Sequence, residues 1–244
     1  MKKIIIPLLL LFLTACASTE NDPASIKKRK LIDTQVQLAV GYMRRGQLDY
    51  AKQNVDKALA LDNTNTNANH VAALLMIRLK RFADAEMHFK RSIEKDANNS
   101  GAQNNYGVYL CDQGRYLEAV NRFDAAIDNP LYKTPFAAAE NAGLCLSKAK
   151  KYRSAEKYFR MALKYYSKSA KALLGLARIS YKRGRMLSAR AFLQRYFGAS
   201  QDTPEALLLA IKVERALGSR DQLATYKLRL RGKFPDSKEA QAIN

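Results

Sequence analysis

The side chains of this chain that could carry covalent or metal chemistry are few: three cysteines and two histidines. His70 and His88 stand beside no cysteine or carboxylate at a spacing that would make them ligands of one metal ion. The sequence also lacks the glycine-rich phosphate loops and the His-Glu-x-x-His motif that mark common enzyme classes. We therefore expect no enzyme activity, no metal and no cofactor. His70 is predicted to line a groove, and His88 to be exposed on a helix.

Cys16 has the most distinctive neighbours of the three cysteines. Lys2 and Lys3 precede an apolar segment of ten residues, Ile4 to Leu13. A helix that spans a bilayer needs about 20 apolar residues, so this segment is typical of a secretory signal peptide over residues 1–15. The Leu-Thr-Ala-Cys stretch at residues 13–16 resembles the lipobox of bacterial lipoproteins, whose cysteine is lipid-modified and becomes the N-terminus. An ordinary signal peptide with an incidental cysteine is the alternative.

Lipidation of Cys16 would anchor the mature chain to a membrane, because two or more acyl chains give stable attachment. In such lipoproteins an aspartate after the cysteine commonly causes retention in the inner membrane, and here Ala17 occupies that position. The resemblance therefore implies the periplasmic face of the outer membrane. Residues 16–31 are predicted to be a flexible tether, because the stretch from Ser18 to Ser25 is polar and aperiodic.

The rest of the chain consists of a repeating pattern. Six segments align without gaps from Gly46, Lys80, Gly114, Lys150, Gly184 and Gly218, at intervals of 34, 34, 36, 34 and 34 residues. A period of 34 is the signature of the tetratricopeptide repeat, a helix-turn-helix unit that stacks on its neighbours. The longer interval comes from residues 128–135, which contain two prolines. We predict an all-α fold, a right-handed α-α superhelix of about six helix pairs, with repeats at 32–65, 66–99, 100–133, 136–169, 170–203 and 204–237 and a C-terminal tail at 238–244.

Solenoids of this kind bind partners mainly through their concave surface, which is lined by fixed positions of each first helix. In the N-terminal half these positions are unusually apolar, which suggests docking of an amphipathic partner segment. Packing of the same residues under residues 26–31 or between helices is the alternative. The predicted groove residues are Val36, Val40, Met43, His70, Leu74, Ile77, Asn104 and Val108.

The formal charge of +20 is concentrated in the C-terminal half. Residues 32–135 hold 13 Lys+Arg and 12 Asp+Glu, whereas residues 148–233 hold 22 Lys+Arg and 5 Asp+Glu. In the periplasm such a surface would meet anionic headgroups, wall polymers or an acidic protein, and we expect no nucleic acid partner. A solubilising surface without a partner is the alternative. The predicted basic surface comprises Lys148, Arg178, Lys182, Lys212 and Arg215.

Cys111 and Cys145 fall late in the first helices of repeats three and four. Stacked helices run about 8–10 Å apart, and a disulfide requires Cα atoms within about 7 Å. In an oxidising compartment the pair could therefore form a disulfide. Two buried free thiols remain the alternative.

Three stretches resemble one family more specifically than any repeat consensus does. They are NNYGVYLCDQGRYLEA from Asn104, FDAAIDNPLYKTPFAAAENAGLC from Phe123 and FPDS from Phe234. They resemble the type IV pilus biogenesis/stability lipoproteins of the PilF/PilW type. The resemblance implies a pilotin, a lipoprotein that binds the outer-membrane secretin and supports its localisation and multimerisation. It also places the contact in the groove of repeats one and two.

Two other functions remain open at this point. The first is a scaffold tethered to the outer membrane that bridges wall-associated or secretion machinery through its basic half. The second is a chaperone for exported pilin-like subunits.

Overall fold

The computed structural model describes residues 22–243. The predicted signal peptide, the predicted lipidation site Cys16 and the first part of the predicted tether lie outside this range. Every regular element in the described range is a helix, so the predicted all-α fold class is confirmed. None of the described helices has the length and apolar character needed to cross a membrane. The helices are α1 Pro23–Arg44, α2 Leu48–Leu61, α3 Thr66–Arg78, α4 Phe82–Lys95, α5 Ser100–Asp112, α6 Tyr116–Ile127, α7 Pro135–Lys148, α8 Tyr152–Tyr165, α9 Ala170–Lys182, α10 Met186–Ala199, α11 Pro204–Ala216, α12 Arg220–Lys233 and α13 Lys238–Gln241.

The helices are divided between two compact units, which meet in sequence between Asn63 and Thr64. The described part of the first unit is one hairpin, α1 and α2, in which Ala39, Ala51 and Val55 are fully buried. The second unit contains five further hairpins, from α3/α4 to α11/α12, followed by the short helix α13. Within this second unit the successive hairpins pack against one another, with the second helix of each contacting the first helix of the next.

The turn inside each hairpin requires a left-handed backbone at one residue. Gly114 adopts it with φ of 76°, a conformation that costs glycine little because it has no Cβ. Lys80 and Lys150 adopt it as well, with φ of 59° and 57°, although a non-glycine residue pays roughly 1–2 kcal/mol there. The turn geometry is therefore kept where the sequence pattern departs from glycine.

Large apolar side chains on the second helices fill the core of the second unit. Phe89, Phe123 and Phe159 have no exposed surface, and each lies four residues after a buried alanine, as the repeat pattern predicts. The ring of Phe159 packs against the backbone of two first helices: a Cβ added at Gly143 or Gly175 would approach it to 2.7 or 2.5 Å. Glycine at these positions allows α7 and α9 to approach the same ring.

The N-terminal end of the fold differs from the prediction. Residues 23–31, predicted to belong to the flexible tether, form the first turns of α1. Pro23 at the start of this helix supplies a suitable φ and needs no hydrogen bond from its missing N–H. Because the residues from Ser18 to Ser25 are polar and aperiodic, the sequence did not indicate that a helix begins at Pro23.

The C-terminal end differs as well, because the segment predicted as a tail packs on the last hairpin. Ser237 caps α13 by accepting a hydrogen bond from the N–H of Ala240 at 3.1 Å. Ala240 and Ile243 are 3% and 8% exposed and belong to the core cluster of α11 and α12. The segment therefore covers apolar surface at the end of the stack.

A buried carboxylate joins the fourth and fifth hairpins. Glu140 of α7 is 6% exposed and accepts a hydrogen bond from the hydroxyl of Ser169 at 2.5 Å. The same hydroxyl oxygen caps α9 by accepting from the N–H of Ala172 at 3.0 Å. Ser169 thus serves two buried polar groups at once.

Replacing this serine is expected to destabilise the fold. Ser169→Ala should lower the free energy of unfolding by about 2–4 kcal/mol, because it removes a helix cap and one partner of a buried carboxylate. Urea denaturation followed by circular dichroism measures the loss. Ser154→Ala, at an exposed position of α8, is the matched control and should change stability by less than about 0.5 kcal/mol. Equal stability of the two variants would contradict the assigned role.

Candidate partner-binding site

The predicted groove residues of the first unit lie on α1. Val36 and Val40 are half-buried and stand one turn apart, so they share a helix face. Met43 was predicted to line the groove, but it is only 7% exposed. It follows Ala39 by one turn on the buried face and has little surface to offer a partner. Leu31 and Leu38 of the same helix are 46% and 42% exposed, an apolar surface that the repeat positions did not include.

The predicted groove residues of α3 form a stripe in the second unit. His70, Leu74 and Ile77 are half-buried and recur at helical spacing. Burial lowers the pKa of His70 to about 4, so the imidazole is neutral at neutral pH. Its Nε2 lies 2.9 Å from Nδ2 of Asn105, which fits a bond donated by the amide to an unprotonated nitrogen. His70 therefore links α3 to α5 and contributes no charge to this face.

The prediction for His88 is wrong. Its side chain is half-buried, and its Nδ1 lies 2.9 Å from Oδ1 of Asn69. Asn69 has no exposed surface, and a buried amide needs a hydrogen-bond partner. His88 is thus a structural residue that joins α4 to α3.

The next first helices, α5 and α7, are connected by polar and covalent contacts. Asn104 accepts a hydrogen bond through its Oδ1 from Nδ2 of Asn141 at 3.0 Å. One turn further along α5, Val108 is 37% exposed. Cys111 and Cys145 form a disulfide with Cα atoms 5.7 Å apart. The two helices are therefore held in a fixed register at their C-terminal ends.

The predicted basic surface lies on α7, α9 and α11. Lys148 pairs with Asp112 at 2.8 Å, and Arg178 forms an ion pair with Glu205. The ammonium group of Lys182 donates to the hydroxyl of Tyr152 at 3.0 Å. Lys212 and Arg215 are exposed on α11.

The sequence could not show that the few carboxylates of this half are already engaged. Glu156 pairs with Arg160, Arg183 and Arg185, and the hydrogen bond from Arg185 is the main cause that holds its pKa below the usual value. Three more carboxylates of residues 148–233 also form ion pairs: Asp202, Glu205 and Glu214. Because residues 148–233 hold 22 Lys+Arg against 5 Asp+Glu, these ion pairs leave most of the positive charge of this half uncompensated.

A cavity of about 440 Å³ opens between the first helices of the third, fourth and fifth hairpins. Its lining includes Val108, the disulfide, Lys148 and Lys182. Residues predicted separately as groove, cysteine pair and basic surface are thus brought together at one place. The described residues contain no group of three or more His, Cys, Asp or Glu side chains that could hold a metal ion.

Comparison with known proteins gives similarities in sequence and in fold. Tetratricopeptide repeat models match residues 88–121 and 146–211. The chain is 29% identical over 237 residues to the type IV pilus assembly protein PilF of Pseudomonas aeruginosa, covering 96% of this chain and 94% of that protein.

Two solved structures are similar in fold over most of their length. The structure of Pseudomonas aeruginosa PilF superimposes with a TM-score of 0.79 at 28% identity, covering 89% of this chain and 98% of that one. The structure of PilW, described as a widely conserved type IV pilus biogenesis factor, gives a TM-score of 0.78 at 29% identity, covering 87% and 98%.

Proposed function

Because this chain is a tetratricopeptide-repeat protein similar in sequence and fold to PilF and PilW, we propose that it is an adaptor of the type IV pilus system. The observation that carries this proposal is that the similarity extends along almost the whole chain rather than over a few repeats. The more specific proposal is a pilotin that binds the outer-membrane secretin and supports its localisation and multimerisation.

We propose that the secretin contacts two separate apolar faces, one on α1 of the first unit and one on α3 of the second. Val36 and Val40 on the first helix, and Leu74 and Ile77 on the second, are half-buried, so each still presents surface to a partner. An amphipathic helix places its apolar side chains on such faces at helical spacing. The neutral state of His70 supports an apolar rather than an ionic contact on α3.

We propose that the chain reaches its partner as a lipoprotein. The lipobox-like sequence before Cys16 supports a lipid anchor, and the similarity to a pilus assembly protein supports an envelope location. Two or more acyl chains would keep the repeats at the periplasmic face of the outer membrane. The repeats would then meet the secretin where it multimerises.

Introducing charge on the two apolar faces tests the proposal. Val40→Glu combined with Leu74→Glu is expected to weaken binding to the purified periplasmic part of the secretin by about a hundredfold, because the contact would bury two carboxylates without partners. Cells that carry this variant should lose SDS-resistant secretin multimers from the outer-membrane fraction. Isothermal titration calorimetry and membrane fractionation are the two measurements.

The matched control carries the same charge change on second helices. Leu117→Glu combined with Leu187→Glu alters side chains that are 67% and 69% exposed, and it should leave both binding and multimers unchanged. Normal multimers and surface pili in the Val40→Glu, Leu74→Glu cells would refute the docking faces. Normal multimers in cells that lack the whole protein would refute the pilotin role.

The second candidate function is a tethered scaffold that uses the basic half. It is favoured by the excess of basic side chains in residues 148–233, whose carboxylates are mostly held in ion pairs. Normal secretin multimers in cells that lack the protein would favour this function over the pilotin role.

A further inference from the structure

The cavity between α5, α7 and α9 has the properties of a binding pocket rather than of a packing defect. Its volume of about 440 Å³ lies within the range of about 300–1,000 Å³ that is usual for ligand pockets. Val108, Leu144 and Ile179 contribute apolar surface to its lining. The Cys111–Cys145 disulfide also lines it and ties α5 to α7, so the site is preorganised.

The lining of this pocket carries more positive than negative charge. It includes Lys148, Arg178 and Lys182, and Asp112 is the one carboxylate among the described residues that line it. Lys148 and Asp112 form an ion pair in which both side chains are 58% exposed, and exposed pairs of this kind contribute little to stability. An incoming carboxylate can therefore replace such contacts at little cost. The charge of the lining is complementary to an acidic ligand.

An amide side chain adds a group suited to a peptide backbone. Asn141 lines the pocket, and its Nδ2 donates to Asn104, which fixes the orientation of the amide. Its Oδ1 retains lone pairs that can accept a hydrogen bond from a main-chain N–H. Apolar, cationic and amide groups thus meet within one pocket.

We propose that this pocket binds a short acidic segment of a partner protein, with an apolar side chain in the pocket and flanking carboxylates against Lys148 and Lys182. An anionic polymer or headgroup would use the cations but would leave the apolar lining unused. The site uses none of the α1 and α3 residues assigned to the secretin, so it does not depend on that contact.

A selection from random peptides tests this proposal whatever the identity of the partner protein. Displayed peptides of about 12 residues, long enough to cross the groove, are selected on the full mature chain. The enriched peptides are then synthesised, labelled and titrated by fluorescence anisotropy. We expect an apolar residue with at least two Asp or Glu residues close to it, and binding that weakens as salt is raised.

Three variants identify the site. Lys148→Glu combined with Lys182→Glu should weaken binding by about tenfold or more through charge reversal. Val108→Asp, at a position 37% exposed, should weaken it similarly by placing a carboxylate in the apolar lining. The matched control is Arg153→Glu combined with Lys157→Glu, which makes the same charge change at exposed positions of α8 and should leave affinity within about twofold. Circular dichroism checks that every variant is folded.

Three outcomes would overturn the proposal. They are the absence of any enriched peptide, enrichment of peptides without acidic residues, and equal binding by the pocket variants and the α8 control. The last outcome would instead indicate a diffuse electrostatic surface.

Discussion

Phe159→Ala is expected to lower the free energy of unfolding by about 3–5 kcal/mol, the range for deletion of a buried aromatic ring. The size of such a loss depends on how far the surroundings can collapse into the space that is left. Here two of the neighbours of the ring are Gly143 and Gly175, which have no side chain that could turn into the cavity. We therefore expect little relaxation and a loss in the upper part of the range.

Urea denaturation followed by circular dichroism measures this loss. Tyr165→Ala is the control, because it removes an aromatic ring that is 51% exposed at the end of the same helix, and it should cost less than about 1 kcal/mol. A loss below about 1.5 kcal/mol in Phe159→Ala would show that α7 and α9 close around the missing ring.

Removing the disulfide is expected to have the second largest effect. Cys111→Ala combined with Cys145→Ala should lower the free energy of unfolding by about 3–4 kcal/mol, because the bond closes a loop with a sequence separation of 34 and restricts the unfolded chain. Alanine is chosen because both positions are buried, where a serine hydroxyl would need a partner.

Thermal unfolding with and without a reductant measures this effect independently of the substitution. Reductant should lower the melting temperature of the wild-type chain towards that of the double variant and should leave the double variant unchanged. A wild-type chain that is insensitive to full reduction would contradict the stabilising role of the bond.

Most of the helical framework could be predicted from the sequence because the same small and large residues recur at equivalent positions of each repeat. Ala85, Ala119 and Ala155 are small where two helices touch, and the buried phenylalanine four residues later is large. Such contacts are local and recur with the period of the chain, so a single sequence contains several copies of the same evidence. Even the turns at Lys80 and Lys150 keep the expected conformation.

The failures occur where a residue depends on a contact outside this pattern. Met43 is buried in spite of its groove position, and His88 is held by a buried amide of the preceding helix. The same positions recur one or two repeats later with other residue types, as Arg122 with Gln103 and as the buried Cys111, so residue identity did not reveal them.

The helix start at Pro23 and the packed residue Ile243 lie outside the six repeats. The 34-residue pattern therefore gives no information about them.

The pocket illustrates a different limit. Its lining residues stand out in the sequence for three separate reasons: repeat position, cysteine chemistry and charge. Their convergence depends on the side-by-side placement of α5, α7 and α9, which brings Val108 and Lys182 to one cavity from positions far apart in the chain. Single-sequence periodicity predicts that helices stack, but it does not predict where side chains leave a space between them.

The disulfide also determines how the protein would respond to mechanical force. If the chain were held by lipid at Cys16 and by a partner on the basic half beyond the loop, as in the scaffold function proposed above, a pulling force would pass through the disulfide. Residues 112–144 lie within the covalent loop. Fully extended they would span about 110–120 Å, at about 3.3–3.6 Å per residue, and the disulfide prevents a pulling force from extending them. Under tension the hairpins outside the loop would unravel first, and the loop that spans part of the third and fourth hairpins would act as an inextensible link.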